Sequence, residues 1–304
     1  MSLTKIVSAT CIVLGAALAS GVVWAVDVVE ADAASAWARP MLLGAHRGGK
    51  GEWPENTVLA FSEAATQYPD ILLEGDLQLS KDGVVVVIHD RTVDRTTNGS
   101  GTVQELTLAQ LKALDAGYHF SSDGGKTYPY RGTGITIPTL DEILQAMPKN
   151  RALFELKDGE GLVAKVVPLL RKHGAADRIL IASFKPELMA AMREQMPEIA
   201  TCFDRGGALA LLSALRTGDW SAYEPTARML SLPKRYIVQF KLTAEEFRKM
   251  QEKGVLIQVH TLNTPEEMDH FRAMGVDSIL TDYPALLARC LTARNNQLEP
   301  RIKR

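Results

Sequence analysis

The chain has 304 residues, of which 46% are hydrophobic and 23% are charged. This balance is typical of a globular enzyme and excludes a disordered, collagen-like or fully membrane-embedded protein. The formal net charge is -2 and only 6% of the residues are aromatic, so no nucleic-acid partner is expected. Three cysteines are too few for a disulfide framework, and the sequence leaves open whether Cys202 and Cys290 pair.

Residues 1–40 form a separate segment. Lys5 precedes an uncharged apolar run over residues 6–26, which is long enough to span a bilayer. The small residues of Ala31–Ala33 fit a cleavage site. Two interpretations stay open, a cleaved signal peptide or an uncleaved anchor that associates with the membrane. Both predict an extracytoplasmic protein, periplasmic or secreted, because the positive charge precedes the run.

The body of the chain, residues 41–290, alternates strand-like and helix-like segments. Helical patterns separate strands predicted at Met41–His46, Ile71–Leu79, Val84–His89, Ala152–Leu156, Arg178–Ser183, Ile199–Phe203, Leu230–Leu232, Val255–Thr261 and Ser278–Thr281. Such repeated units predict an α/β fold with a parallel sheet, and the length suits closure into a (β/α)8 TIM barrel. Because there are more than eight strand candidates, we expect Leu230–Leu232 or Ile199–Phe203 to lie outside the barrel.

One stretch interrupts the alternation. Residues 91–138, after the third strand, are rich in Gly, Thr, Asp and Tyr and are interpreted as an insertion. Its place after a strand end predicts a position over the barrel mouth, where substrate specificity is built. Residues 291–304 are polar and are expected to form a flexible tail.

Ionisable side chains gather where the first four predicted strands end. In a parallel barrel, the carboxyl ends of the strands face one common site. We therefore expect two histidines, three carboxylates and two cations to meet there. These residues are His46, Arg47, Glu74, Asp76, His89, Glu155 and Lys157.

The three carboxylates predict a metal site. Glu74 and Asp76 are two residues apart, so in a strand they share a face, and Glu155 would join them. Converging carboxylates repel each other unless a cation neutralises them, and all-oxygen ligands suit one divalent Mg2+ or Ca2+ ion. The alternative is that Glu74 and Asp76 are solvated residues at a strand edge.

The histidines and cations suit chemistry on a phosphodiester. His46 and His89 are candidates for proton transfer near neutral pH, although either could merely bond to the backbone. Arg47 and Lys157 supply donors for a phosphate. Their alternatives are an ion pair of Arg47 with Glu52 or Glu55, and a surface position for Lys157.

An ordered set of motifs resembles the glycerophosphodiester phosphodiesterase family. The matching segments are His46–Gly48, Pro54–Thr57, Glu74–Asp76, Lys81–Gly83, His89–Asp90, Arg95–Thr97, Pro138–Leu140, Glu155–Lys157 and Thr281–Pro284. The resemblance implies a TIM barrel that hydrolyses small glycerophosphodiesters to sn-glycerol 3-phosphate and an alcohol. It also implies that the histidine pair is the general acid and base, that the carboxylates hold the metal, and that Arg47 and Lys157 bind the phosphate.

The family further implies that a hydroxyl of the substrate's own glycerol attacks phosphorus through a cyclic phosphate. This agrees with the lack of an evident Ser, Cys or Thr nucleophile in the sequence. The chain departs from the family near the last strands, where members often read V-W-T-V-N and this chain has Val259–Asn263. The departure places His260 where tryptophan is common. We expect His260 to contact the substrate, or else to be a polar residue at a strand end.

Two further functions stay open. The same chemistry on an acylated glycerol would make the protein a lysophospholipase D that acts on lysophospholipids. Aromatic residues of the insertion, Tyr118–Phe120, Tyr128 and Tyr130, would then line a lipid entry, or they pack within the insertion itself. The other possibility, a catalytically inactive barrel used as a binding protein, is disfavoured by the full set of candidate catalytic residues.

Overall fold

The computed structural model describes Trp37 and residues 42–298, so the predicted leader lies outside the described residues except for Trp37. The strands are β1 Leu43–Ala45, β2 Leu72–Leu79, β3 Val85–Val87, β4 Ala152–Asp158, β5 Ile179–Ala182, β6 Ala200–Thr201, β7 Met229–Pro233, β8 Leu256–His260 and β9 Ser278–Thr281. The helices are α1 Val58–Gln67, α2 Leu108–Lys112, α3 Leu140–Ala146, α4 Leu162–Lys172, α5 Pro186–Gln195, α6 Arg205–Thr217, α7 Lys234–Phe240, α8 Ala244–Glu252, α9 Pro265–Ala273 and α10 Pro284–Leu298.

Eight of the described strands form a parallel barrel. Their order is β6-β5-β4-β2-β1-β9-β8-β7, and a parallel bridge between Cys202 and Met229 connects β6 to β7 across the remaining gap. Helices alternate with the strands along the chain, as crossover connections between parallel strands require. The predicted TIM barrel is confirmed, with the insertion following the third strand of the chain.

The strand outside the barrel is β3. It pairs antiparallel with β2, with Leu77 opposite Val87 and Leu79 opposite Val85. The prediction that Leu230–Leu232 or Ile199–Phe203 lies outside the barrel is therefore wrong, since β7 and β6 both belong to it. The cause is connection length, because the short turn between β2 and β3 allows a hairpin, whereas a parallel return needs about a dozen residues or more.

Threonine side chains fix the beginnings of several helices. The Thr139 hydroxyl accepts a hydrogen bond from the Glu142 backbone, and the Glu142 carboxylate accepts one from the Thr139 backbone. This capping box was expected from the three-residue spacing. Thr57, Thr107, Thr243 and Thr264 cap their helices in the same position, and such a cap stabilises a helix by about 1 kcal/mol.

Apolar side chains fill the amino-terminal end of the barrel. Trp37, in the segment predicted as leader, is buried there beside Leu72, Leu180, Cys202 and Met229, which lie near the starts of their strands or just after β6. At the other terminus, α10 continues to Leu298, within the segment predicted as a tail.

The insertion packs on the outer side of β3. Its apolar residues Val93, Val103, Leu111 and Ile137 form a cluster with Val86 of β3. None of residues 91–138 lines the central cavity described below. Across the described part of the chain, no helix has the length and apolar character needed to cross a membrane.

Candidate active site

The carboxyl ends of the barrel strands surround a cavity of about 1000 Å3. Every site residue predicted from the sequence contributes to its lining. These residues are His46, Arg47, Glu74, Asp76, His89, Glu155, Lys157 and His260. The structure therefore brings together side chains from five separate segments of the sequence, while their individual roles stay predictions.

Strand register places the three carboxylates beside one another. Glu74 and Asp76 point inward from β2, and Asp76 lies directly opposite Glu155 in the parallel pairing of β2 with β4. One carboxylate oxygen from each residue lies within 4.8 Å of the others. Gly75 between them faces α1, where a Cβ atom would lie 2.8 Å from the Phe61 ring. Glycine thus lets α1 pack closely behind the cluster.

The three carboxylates differ in the direction of their pKa shifts. Burial raises the pKa of Glu74 well above its ordinary value, and repulsion by Asp76 and Glu155 acts in the same direction. Burial also raises the pKa of Glu155, although Lys157 opposes it. Burial acts to raise the pKa of Asp76 as well, but Lys157 and Arg47 together hold it below its ordinary value. The buried Glu74 and Asp76 and the partly buried Glu155 thus differ in acidity, and a cation beside them would relieve their mutual repulsion.

Two side-chain cations contact the cluster. The Lys157 ammonium lies 3.0 Å from Asp76 Oδ1 and 2.6 Å from Glu155 Oε2, which excludes the alternative of an unpaired surface lysine. The Arg47 guanidinium lies 3.5 Å from Asp76 Oδ2 through Nε and 2.9 Å from Glu55 Oε1 through Nη1. The ion pair with Glu55 considered as an alternative therefore forms, without removing Arg47 from the cavity.

A strained turn carries Arg47 into the site. Its φ of 52° is in the left-handed region, at a cost of about 1 kcal/mol or more. The following Gly48 also has positive φ, and a Cβ there would lie 2.8 Å from Ala60 Cβ, so other residues would clash as well as strain the backbone. The turn directs the Arg47 backbone N–H at Glu74 Oε2, 2.9 Å away.

His46 is held by a carboxylate from the last barrel strand. Its Nδ1 atom lies 2.6 Å from Asp282 Oδ1, and Asp282 also accepts from Asn263 Nδ2 at 2.8 Å. Burial lowers the pKa of His46, although the Asp282 carboxylate opposes this shift. A carboxylate acceptor at Nδ1 orients the ring and leaves Nε2 for chemistry. Asp282 received no role in the sequence analysis, although its position just after Ser278–Thr281 satisfied the strand-end criterion.

His89 reaches the cavity through the β2–β3 hairpin and not from a barrel strand as predicted. The Gln78 side-chain amide donates to three successive carbonyls, Ile88 to Asp90, at 2.7–3.1 Å and fixes this segment. His89 Nδ1 lies 2.7 Å from Asp90 Oδ1. Hydrogen bonds from Arg95 and His89 lower the pKa of Asp90 to about 2, although partial burial opposes this shift. Asp90 therefore stays charged beside His89.

A second layer of polar residues supports the cluster, and apart from the ion pair of Arg47 with Glu55 its contacts were not predicted from the sequence. The Arg95 guanidinium donates to both oxygens of Glu55, each at 2.8 Å, and to Asp90 at 2.6 Å. The Asn56 amide donates to Asp76 Oδ2 at 2.9 Å. Glu55, Asn56 and Arg95 all lie in the segments that resemble the family, but spacing alone gives no indication of which partner each would contact.

His260 lies at the end of β8 on the polar side of the cavity. Its Nδ1 atom is 3.1 Å from Ser231 Oγ. Burial, with smaller effects from His46, Arg235 and Lys157, lowers the pKa of His260 to about 3. The ring is therefore neutral at physiological pH.

Apolar side chains line another part of the cavity, namely Phe184, Phe203, Leu209, Leu212 and Phe240, from the segments that follow β5, β6 and β7. The same segments also bring the charged residues Asp204, Arg205, Lys234 and Arg235 to the lining. Phe184 is 66% exposed and Leu209 is 49% exposed. Sequence reasoning did not find this wall, because single apolar residues after strand ends have no distinctive spacing.

The aromatic residues of the insertion pack against each other instead of lining the cavity. Arg131 lies over the rings of Tyr118 and Tyr128, 4.1 and 4.0 Å from their centroids. Phe120 contacts Tyr130 edge to face. Of the two alternatives for these aromatic residues, packing within the insertion is the one observed.

Cys202 and Cys290 are both free thiols, so the pairing that the sequence left open does not form.

The parallel α/β barrel thus brings an acidic cluster and two carboxylate-bound histidines together at its mouth. The family model for the glycerophosphoryl diester phosphodiesterase family matches residues 46–286. The chain belongs to this family and is accordingly a phosphoric diester hydrolase.

Relatives and solved structures agree with this assignment. The glycerophosphodiester phosphodiesterase of Bacillus subtilis strain 168 is 32% identical over 265 residues, which cover 81% of this chain and 85% of the relative. Lysophospholipase D GDPD3 of Mus musculus is 26% identical over 283 residues, covering 86% and 85%. An Oleispira antarctica phosphodiesterase solved with the product sn-glycerol-3-phosphate superposes with a TM-score of 0.69 at 26% identity, covering 85% of this chain and 99% of that one.

The raised pKa of Glu74 predicts a pH-dependent stability cost. Below the ordinary glutamate range, the carboxyl is protonated in both the folded and the unfolded chain. As pH rises from there toward the raised folded pKa, the unfolded chain loses its proton first, so the folded state loses stability. In the presence of chelator, Glu74→Gln should therefore increase the free energy of unfolding, by about 1–2 kcal/mol near neutral pH.

Urea unfolding across the acidic to neutral range measures this effect. The advantage of Glu74→Gln should shrink as pH falls. Glu105→Gln, at an exposed position, is the control and should match the unsubstituted protein. Equal stability of Glu74→Gln and the unsubstituted chain at every pH would contradict the electrostatic description.

Proposed function

We propose that this protein hydrolyses glycerophosphodiesters to sn-glycerol 3-phosphate and an alcohol, with one divalent ion, Mg2+ or Ca2+, and with His46 and His89 as general acid and base. Family membership supports diester hydrolysis. The observation that carries the finer proposal is the convergence of Glu74, Asp76 and Glu155 within 4.8 Å, beside two histidines that are each bound to a carboxylate.

The donor set fits a hard divalent ion. All three candidate ligands are carboxylates, and their mutual repulsion is only partly relieved by Lys157 and Arg47. A bound ion would polarise the phosphoryl group and the attacking hydroxyl. With the carboxylates occupied by the ion, the Lys157 and Arg47 donors would be available to bind phosphate oxygens.

The residues of the chain then supply proton transfer. Asp282 and Asp90 hold His46 and His89 through Nδ1, so that Nε2 of each ring is left to exchange a proton. One histidine takes the proton of the internal glycerol hydroxyl as its oxygen bonds to phosphorus. The other protonates the leaving alcohol as its bond to phosphorus breaks. Water then opens the cyclic phosphate to give sn-glycerol 3-phosphate.

Two cavity side chains that could replace the substrate hydroxyl as nucleophile, Ser183 and Cys202, are engaged or inert. The Ser183 hydroxyl donates to the Leu156 carbonyl at 2.7 Å. Burial raises the pKa of the Cys202 thiol, so it is not a thiolate at neutral pH. Attack by the substrate's own hydroxyl is therefore the proposed route.

The metal requirement is tested with glycerophosphocholine as substrate. Release of sn-glycerol 3-phosphate should stop with chelator and return with Mg2+ or Ca2+. Glu155→Gln should weaken metal binding by about tenfold or more, because it removes one charged ligand. The readouts are turnover and the metal-induced rise in Tm, which reports binding without catalysis.

Glu142→Gln, a carboxylate outside the cavity, is the matched control for these titrations. Turnover that survives chelation, or an unchanged metal titration in Glu155→Gln, would remove the metal site. A folded protein that turns over no diester with either ion would instead support the inactive binding barrel.

The histidine pair is tested by His46→Ala and His89→Ala. Each should lower kcat for glycerophosphocholine by about a hundredfold or more, because one proton-transfer step loses its catalyst. Circular dichroism and Tm check that the fold is intact. His270→Ala, on the outer helix α9, should retain full activity. Normal kcat in both cavity variants contradicts the acid–base assignment.

We also propose an extracytoplasmic location, based on the apolar run over residues 6–26 and the lysine before it. The choice between a cleaved signal peptide and a membrane anchor at this segment is decided by mass spectrometry of the mature N-terminus. The anchored form would retain residues 6–26 and cosediment with membranes.

A second candidate function is lysophospholipase D, and the apolar cavity wall is the observation that favours it. Phe184 and Leu209 are largely exposed to water yet continuous with the catalytic cavity. An acyl chain covering them would gain about 25 cal/mol for each Å2 of apolar surface removed from water. A mouse relative, 26% identical to this chain, is named lysophospholipase D.

Substitution of the apolar wall separates the two candidates. If lysophosphatidylcholine is a substrate, Phe184→Ser and Leu209→Ser should each reduce its kcat/KM by about tenfold, because burial of a large side chain contributes about 1.5 kcal/mol or more. Hydrolysis of glycerophosphocholine should change little. Val238→Ser is the control, since Val238 is 74% exposed but does not line the cavity. Equal effects on both substrates would contradict an acyl-binding wall.

A further inference from the structure

The hydrogen-bonding capacity of His260 depends on its tautomer. A neutral imidazole has one donor and one acceptor nitrogen. The ring lines the cavity and is partly exposed to it. The nitrogen that carries the proton therefore decides which substrate group can bind there.

A chain of hydrogen bonds in the barrel interior fixes that proton. The Ser231 hydroxyl donates to Gln258 Oε1 at 2.7 Å, and Gln258 Nε2 donates to Ser278 Oγ at 3.1 Å. Because Ser231 has only one proton to donate, its oxygen accepts from His260 Nδ1 at 3.1 Å. The proton thus lies on Nδ1, and Nε2 keeps a lone pair. Gln258 and Ser278 are fully buried, which holds the chain rigid.

The surroundings keep the ring neutral and Nε2 free. Burial and the neighbouring His46, Arg235 and Lys157 all oppose a second proton. Among the described residues, no hydrogen bond engages Nε2, and His260 is not part of the carboxylate cluster that could hold the ion. The site therefore presents a fixed acceptor to the cavity.

The chemistry of an acceptor limits what it can bind. Phosphate oxygens are themselves acceptors and would be repelled by the Nε2 lone pair, so a contact between His260 and phosphate is disfavoured. A hydroxyl can donate to it. An imidazole with so low a pKa is a weak base, so the matching hydroxyl is one that keeps its proton and not the one that attacks phosphorus.

We propose that His260 Nε2 accepts a hydrogen bond from the terminal hydroxyl of the substrate's glycerol and so determines specificity for diesters that are not acylated there. An ester at this position has no proton to donate, and it would leave the acceptor unpaired. The inference rests on the proposed glycerophosphodiester hydrolysis and opposes the second candidate, because a 1-acyl lysophospholipid lacks this donor.

The test compares glycerophosphocholine with 2-hydroxypropyl phosphocholine, which lacks only the terminal hydroxyl and keeps the internal one. The unsubstituted protein should prefer glycerophosphocholine by about tenfold to a hundredfold in kcat/KM. His260→Phe, which keeps a ring but has no acceptor, should reduce this ratio to about one. His270→Phe, on the exposed face of α9, is the matched control and should retain the full preference.

Two further measurements test whether His260 determines substrate specificity or only supports the fold. Ser231→Ala removes the group that holds Nδ1 and should also reduce the preference, while the metal-induced rise in Tm stays unchanged. Nitrogen-15 NMR of the unsubstituted protein should show His260 protonated at Nδ1. Should His260→Phe fail to fold, His260→Trp takes its place in the substrate comparison.

These outcomes separate the role of His260 from the proposed glycerophosphodiester hydrolysis on which it rests. Equal loss of activity on both substrates in His260→Phe, or a proton on Nε2 in the NMR spectrum, overturns the role of His260 and leaves diester hydrolysis standing. No turnover of glycerophosphocholine by the unsubstituted protein with either ion overturns the proposed function itself. A collapsed preference with retained turnover supports both.

Discussion

Repulsion among three carboxylates, two of them buried and one partly buried, is the constraint on which the site depends. The parallel pairing of β2 with β4 sets Asp76 beside Glu155, and the two-residue spacing adds Glu74 on the same face. This arrangement is unfavourable in isolation, as the raised pKa values of Glu74 and Glu155 show. It persists because the barrel backbone fixes the register, so the strands bear the electrostatic cost of holding the carboxylates together.

The cations and their supports follow from that constraint. Lys157 lies two residues beyond Glu155 on β4, on the same face, and therefore reaches the cluster. Arg47 comes from a strained turn, and its position is secured by Glu55, which is in turn held by Arg95. Asp76 is paired with Arg47, Arg47 with Glu55, and Glu55 with Arg95, so each charged group has a partner of opposite charge. The apolar cluster around Trp37 at the other end of the barrel leaves the carboxyl ends as the place for this chemistry.

Strand periodicity explains why much of the site could be predicted from the sequence. Apolar runs identified the barrel strands, and polar residues at their ends, such as His46 and Glu155, converge because parallel strands share an orientation. The same rule failed for Val84–His89, since a hairpin and a parallel strand have the same local pattern and differ in connection length. His89 still reaches the cavity, because the antiparallel return brings the end of β3 back toward Asp76, whose carbonyl accepts from the Ile88 backbone.

Partners that depend on the three-dimensional path were harder to predict. Asp282 meets His46 from 236 residues away, and only closure of the barrel between β9 and β1 brings them together. The apolar wall depends on which face α6 and α7 turn inward, and the sequence pattern gives no signal for these segments. Local signals such as the Thr139 capping box were readable because both partners lie within one helical turn.

The three cavity histidines illustrate how environment assigns chemistry to one residue type. His46 and His89 each bond through Nδ1 to a carboxylate, which orients the ring and leaves Nε2 to exchange a proton. His260 bonds to a neutral hydroxyl and faces positive neighbours, which favours a ring that never takes a second proton. A protonated third imidazole would lower the proton affinity of the other two by like-charge repulsion. The chain of hydrogen bonds between neutral side chains, from Ser278 to His260, therefore allows a polar contact in the cavity without disturbing the proton transfer proposed for His46 and His89.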